Sequence, residues 1–321
     1  MEPKMKKWAA VLAAGFGFAS ALAAFAGGPF INWASLKNPV LEHQGWSIKD
    51  SCMALKDGQF YIFFSNFNYD RGRYRCYVSG VKTRDFRNFS EPLFTWTGEQ
   101  GGWGGMCSPN LTQIHDSYYL TYNSWGDDKS HPNQLFYAVS RDLENWKKDM
   151  PLAANITSGK RVIDAAIAYF NNRYYLVYKE FQTPKMAVSD RLDSANWKSL
   201  GTVPGGWFEN GEFIMIDNQW HLLVTDENHL PCLRRMQGSG EQDQDWLNWG
   251  GFQCLDIPLQ KFNTIEQANC AFLADFRAED GFFYLLYSGR NKGFGHQGDK
   301  YFKLALARSK DLKTWKAAGQ E

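Results

Sequence analysis

The sequence predicts an all-β protein, a five-bladed β-propeller of four-stranded antiparallel blades. Three observations carry that expectation. Of the 321 residues, 16% are aromatic, only 21% are charged and 29 are Gly, a composition of short strands and tight turns rather than of disorder or coiled coil. A hairpin pattern recurs five times, 45 to 60 residues apart, starting at Asp50, Ser108, Asp164, Glu209 and Asn269. A second element, a strand running into a polar turn closed by an aromatic ring, recurs with it. Periods of that length, with about four strands each, belong to radially repeated sheets. No stretch keeps apolar residues at helical spacing over three turns.

Taken in order, the chain opens with Lys4, Lys6 and Lys7, an apolar stretch from Trp8 to Phe25, and the small-x-small site Ala24-Phe25-Ala26. This is the order of a secretory signal. Residues 1–26 are therefore expected to be removed, residues 27–49 to form an arm, and residues 50–321 to form the propeller. No later segment is apolar enough to span a bilayer, so the expected product is secreted or periplasmic, without membrane association after cleavage. Lys plus Arg is 35 against 34 for Asp plus Glu, a net charge of +1. No basic run displaces counterions, which excludes a general nucleic-acid binder.

Each hairpin pairs alternating apolar runs across a turn dipeptide tolerant of positive φ: Asp57-Gly58, Asp116-Ser117, Asn171-Asn172, Asp217-Asn218 and Asp280-Gly281. The second element appears as Thr83–Phe89, Ser140–Trp146, Ser189–Trp197, a shortened Asp245–Trp249, and Ser309–Trp315. Its closing ring is expected to fill the gap between neighbouring sheets. Six Cys (52, 76, 107, 232, 254, 270) in an exported chain permit disulfides, with fifteen possible pairings. Cys232 and Cys254 flank one segment and could join neighbouring strands; buried free thiols are the alternative.

In such a ring the first strand of each blade lines the axis, so equivalent strand ends converge. Three of the five repeat starts are acidic: Asp50, Asp164 and Glu209. Carboxylates gathered without basic partners repel one another and lose hydration, which a purely structural pocket avoids. Glycosidic cleavage needs that grouping: one carboxylate activates water, a second gives a proton to the leaving oxygen, and a third charge raises the pKa of the acid. Glu212 is the alternative acid; strand alternation would turn it to the face opposite Glu209.

The spacing, the repeated Asp-Leu-x-x-Trp turns and the export signal resemble the five-bladed propeller glycoside hydrolases, most closely families 43 and 62, over most of residues 40–316. The resemblance implies Asp50, in Ile48-Lys49-Asp50, as general base. It implies Asp164, in Val162-Ile163-Asp164, as the residue that tunes the acid, and Glu209, in Trp207-Phe208-Glu209, as the acid. Neither Asp is followed by Pro, and Glu209 is followed by Asn210-Gly211 where the family has Gly-Pro. The segment Ala268-Asn269-Cys270 stands where family 43 often has a Gly-His pair near an axial ion, so no cofactor is expected and an axial calcium has no support. The Asn-Asp-Pro nucleophile segment of retaining relatives is absent, which implies single displacement with inversion.

Further residues are candidates for carbohydrate contact. Trp103 sits in Gly101-Gly102-Trp103-Gly104-Gly105, where an exposed indole would suit the apolar face of a sugar. Asn110, in Ser108-Pro109-Asn110, resembles a sugar-bonding position of family 43. Trp125, Lys179-Glu180 and Arg290 end second strands, within reach of the rim. The six His show no metal-ligand spacing. The leading expectation is thus a secreted inverting glycosidase of plant or algal polysaccharides, of the α-L-arabinofuranosidase or β-xylosidase type. A phosphate-using glycoside phosphorylase and a propeller that binds glycans without cleaving them are the alternatives.

Overall fold

The computed structural model describes residues 30–70, 73–126, 131–193, 195–291 and 301–320; the segment read as a secretory signal lies outside them. The described chain is all-β apart from single helical turns. Its strands form four-stranded antiparallel units. The first holds β1 (Ser47–Lys56), β2 (Gln59–Asp70), β3 (Arg73–Thr83) and β4 (Phe94–Trp96). The second holds β5 (Gly105–Ile114), β6 (Ser117–Trp125), β7 (Leu135–Ser140) and β8 (Lys147–Pro151). Then come β9 (Val162–Phe170), β10 (Arg173–Glu180), β11 (Thr183–Ser189) and β12 (Lys198–Thr202). The fourth unit is β13 (Glu209–Ile216), β14 (Gln219–Thr225), β15 (Pro231–Arg235) and β16 (Gln253–Cys254). The last is β17 (Glu266–Phe276), β18 (Phe282–Arg290), β19 (Lys303–Ser309) and β20 (Trp315–Ala317).

The first two units are not separate sheets. A parallel bridge between Cys76 and Gly105 joins β3 to β5, making one eight-stranded sheet. The approach is possible because residue 105 is Gly: a Cβ there would lie 1.9 Å from the carbonyl oxygen of Cys76.

First strands touch in a closed cycle, β1 on β5, β5 on β9, β9 on β13, β13 on β17 and β17 on β1. Apolar cores fill the wedges between successive units, with Leu135, Tyr137, Ile167 and Leu176 in one and Tyr175, Val177, Leu222 and Trp246 in the next. The repeated polar turn explains itself locally. Asp142 Oδ1 accepts the backbone N–H groups of Glu144 and Asn145 at 3.0 and 2.7 Å, and Leu143 is held at φ 67°. In the last copy the Thr314 and Lys313 N–H groups bring the Asp311 carboxyl down to about 2. The closing Trp146 donates to the Leu143 carbonyl at 3.1 Å and packs edge-on against Phe63 of the preceding unit at 5.4 Å, so the ring fills the inter-sheet gap as expected.

The arm closes the molecule on itself. Val40 N–H donates to the Leu304 carbonyl at 2.9 Å, and Asn38 Oδ1 accepts the Leu306 N–H at 2.9 Å, so residues ahead of the first unit lie along the last. β1 begins at Ser47, three residues before the expected boundary at Asp50. Cys232 and Cys254, paired across β15 and β16, form a disulfide. Cys52, Cys76, Cys107 and Cys270 are buried thiols, so each of the two expectations for the cysteines holds for part of the set.

Candidate active site

Every first strand carries a β-bulge near its start, and one residue of each takes left-handed φ: Asp50 (50°), Ser108 (54°), Asp164 (58°), Asn210 (51°) and Cys270 (49°). Non-Gly residues avoid this region, at a cost of about 1–3 kcal/mol each. A bulge also re-aims the side chains beside it. These five residues line one small central cavity, together with Asn110. Convergence on the axis therefore holds for the starts at Asp50, Ser108 and Asp164, whereas Glu209 and Asn269 fall one residue short of Asn210 and Cys270. Asp50 and Asp164 are true equivalents, whereas Glu209 precedes the fourth bulge and shares its register with Lys49, Cys107, Ile163 and Asn269.

The acids are tied together by short polar links. Asn210 Nδ2 donates to Asp50 Oδ1 at 3.1 Å, which brings the fourth bulge against the first. Lys179 Nζ lies 3.3 Å from Asp164 Oδ2 and 2.5 Å from Glu209 Oε2. Burial works to lower the Lys179 pKa, but Asp164 and Glu209 outweigh it and raise the value. The expectation of carboxylates without basic partners is thus corrected: the buried ammonium offsets their repulsion.

Lys179 is an outlier among its structural equivalents. The second-strand residue paired with the residue just before each bulge is Ser65, Asn123, Lys179, Thr225 or Ser288. Three of the small polar ones satisfy the bulge of the following unit. Ser65 Oγ accepts Ser108 N–H at 2.8 Å, Asn123 Oδ1 accepts Asp164 N–H at 3.0 Å, and Thr225 Oγ1 accepts Cys270 N–H at 3.2 Å. Only the third unit puts a cation there.

A second charged group borders the first. Glu266 accepts from Asn269 Nδ2 at 2.9 Å and pairs with Arg290, whose guanidinium lies 4.3 Å from the centre of the Phe302 ring. Burial works to raise the Glu266 carboxyl, and Asn269 and Arg290 overcome it and lower the value. Lys49 Nζ also approaches this ring, 5.1 Å from the Phe302 ring centre. Burial opposes its charge, but the carboxylates of Asp50, Glu209 and Glu266 raise its pKa. Burial pushes the Cys270 thiol well above its usual value; its sulfur lies 2.9 Å from Asn269 Oδ1 and 3.2 Å from Asn210 Oδ1. A neutral thiol on the axis is a poor partner for a hard, oxygen-seeking cation such as calcium.

Glu212 is set apart from Glu209 by the bulge between them, which breaks simple alternation. Its carboxyl is buried between β13 and β17, where Oε2 accepts Leu273 N–H at 2.8 Å. Burial drives its pKa well up, with the Leu273 bond acting weakly the other way. A carboxyl whose folded value is raised above the unfolded one (about 4.3) costs stability as pH rises from that value toward the folded one. Glu212→Gln, which keeps the acceptor for Leu273, is expected to raise Tm, with a gain that grows above about pH 4.5; thermal unfolding of both proteins from pH 4 to 9 checks this.

The remaining sequence candidates fall at varied places. Asn110 lies in the central cavity, its Nδ2 3.4 Å from the Gly211 carbonyl. Trp103 is half-buried, against His131 at 4.3 Å and Phe136 at 5.6 Å, and its Nε1 donates to the Pro132 carbonyl at 3.4 Å. Trp125 is half-buried at the end of β6, edge-on to Phe67 at 5.6 Å. Arg290 is buried with Glu266. The sequence reading assigned no role to Lys49, Glu266 or Cys270 and gave Lys179 only a place at the rim. Aligning the ends of the second strands would have exposed Lys179 as the one cation among Ser, Asn, Thr and Ser.

No family model and no curated protein sequence matches the chain. Solved structures do match in fold. A glycosyl hydrolase from Bacteroides ovatus is 16% identical, with a TM-score of 0.62 over 85% of this chain and 86% of its own. A thermostable family-43 glycoside hydrolase is 13% identical, with a TM-score of 0.61 over 89% of this chain and 96% of its own. An α-L-arabinofuranosidase from Lactobacillus brevis is 12% identical, with a TM-score of 0.63 over 88% and 95%. The chain therefore has the fold of these glycoside hydrolases. Among the described residues no helix is long and apolar enough to cross a membrane.

Proposed function

We propose that the chain is a secreted glycoside hydrolase on a five-bladed β-propeller. In this reading it cleaves glycosidic bonds of plant or algal polysaccharides by single displacement with inversion, as an enzyme of α-L-arabinofuranosidase or β-xylosidase type. The observation that carries the reading is that Asp164 and Glu209 share the Lys179 ammonium, while Asp50, which lines one cavity with Asp164, is bonded to Asn210, the residue next to Glu209. The closed cycle of first strands supports the blade count, and the fold shared with sugar-cleaving enzymes supports the reaction class.

In this mechanism Asp50 removes a proton from a water molecule as its oxygen attacks the anomeric carbon. Glu209, when protonated, passes its proton to the glycosidic oxygen while the carbon–oxygen bond breaks. Asp164 then holds the Lys179 ammonium and keeps the acid in place. Ion pairing of Glu209 with Lys179 favours one rival, a propeller that holds glycans without cleaving them, because the carboxylate assigned as acid is already engaged by a buried ammonium. The test is product analysis by NMR on aryl glycosides and plant and algal polysaccharides. An inverted anomer supports the reading, a retained anomer ends single displacement, and saturable binding without products leaves the rival.

A further inference from the structure

Two costs coincide at Phe181. It is the first residue of the β10–β11 turn, at φ 55°, a conformation that favours Gly or Asn. Its ring is 62% exposed, above every other large apolar side chain in the described residues. A smaller polar residue would relieve both, so folding gives no reason for a ring here. Its surroundings do. The Phe181 N–H donates to the Arg161 carbonyl at 2.9 Å, and the Arg161 guanidinium lies 5.9 Å from the ring centre. Gln182, the other turn residue, accepts Trp207 Nε1–H at 2.8 Å. The Trp207 ring in turn lies 5.1 Å from Lys179 Nζ, the cation bound to Glu209. An aromatic step thus runs from the exposed turn to the side of the cluster where the acid sits.

We propose that Phe181, with Gln182 and Arg161 beside it, is a binding platform for the sugar on the leaving-group side of the scissile bond. The proposal rests on the glycosidase reading and deepens it. Sugar rings present apolar C–H faces that stack on an aromatic ring and hydroxyls that suit an amide and a guanidinium. A platform beside the acid meets the unit that departs, not the unit whose anomeric carbon is attacked. The occupant is therefore a backbone sugar of an oligosaccharide, and a glycosyl fluoride, whose leaving group carries no ring, makes no use of the site.

The test compares Phe181→Asn and Phe181→Trp with the unaltered protein. Binding of arabinoxylan, arabinan and agarose oligosaccharides is followed by calorimetry in an Asp50→Asn background, and turnover of glycosyl fluorides in the active background. Asn is expected to weaken oligosaccharide binding three- to tenfold, the fold-change of one aromatic contact. It should leave glycosyl fluoride turnover within twofold and Tm no lower, and Trp should restore the affinity. Unchanged oligosaccharide affinity in the Asn variant overturns the platform while glycosyl fluoride turnover leaves the glycosidase reading standing. Absence of both binding and turnover in the unaltered protein overturns the two together.

Discussion

Replacing Asp50 with Asn is expected to lower turnover about a thousandfold, within the range that general acid–base catalysis supplies, while glycan binding stays intact. The substitution keeps size and keeps an oxygen to accept the Asn210 amide, now at 3.1 Å. What it removes is the capacity to take a proton from water. The left-handed backbone at this bulge is tolerated better by Asn than by almost any other non-Gly residue, so folding is preserved. Steady-state kinetics and calorimetric glycan binding on one preparation separate the two effects. Turnover within tenfold of the unaltered protein would remove Asp50 as the base. Loss of binding equal to loss of turnover would make it a substrate-holding residue instead.

Much of this site was legible in the sequence because propeller geometry turns periodicity into proximity. The hairpin turns and the Asp-Leu-x-x-Trp elements fixed where each unit begins, and equivalent starts had to meet at the axis. Asp50 and Asp164 followed directly. Glu209 and Asn269 came out one residue short of Asn210 and Cys270, because the position of the bulge leaves no mark in the hydrophobic alternation from which the starts were aligned. The bulges at Ser108 and Cys270 carry residues with no preference for left-handed φ, so nothing in their identity announced them. Fusion of the first two units depends on Gly105 meeting the Cys76 carbonyl, a contact between strands that no local pattern encodes. The counter-charges were hidden for a different reason. Lys49, Lys179 and Arg290 lie next to apolar strand residues, where a cation reads as a solvated strand end until its burial is known.

The strongest consequence of those counter-charges concerns Lys179. Lys179→Met is expected to destabilise the protein by about 3 kcal/mol, the cost of removing one partner from a buried ion group and leaving the others uncompensated. Asp164 Oδ2 and Glu209 Oε2 both face the ammonium, so its loss brings two carboxylates together with no cation between them. The pKa of Lys179 is raised by folding. Its contribution is therefore fully present below the ordinary lysine value of about 10.4 and is lost only as pH rises through the folded value. Denaturant unfolding of both proteins at pH 6, 8 and 11 should show a difference that persists at the first two and shrinks at the last.

Activity adds an independent readout. Turnover at neutral pH falls because Glu209 loses its anchor. Lys179→Arg, which keeps the charge, should recover stability better than rate, since a planar guanidinium cannot reproduce a point contact to both acids. A Met variant with unchanged stability and unchanged turnover would mean that the two acids are held by other contacts, and that the cation in the third unit is incidental.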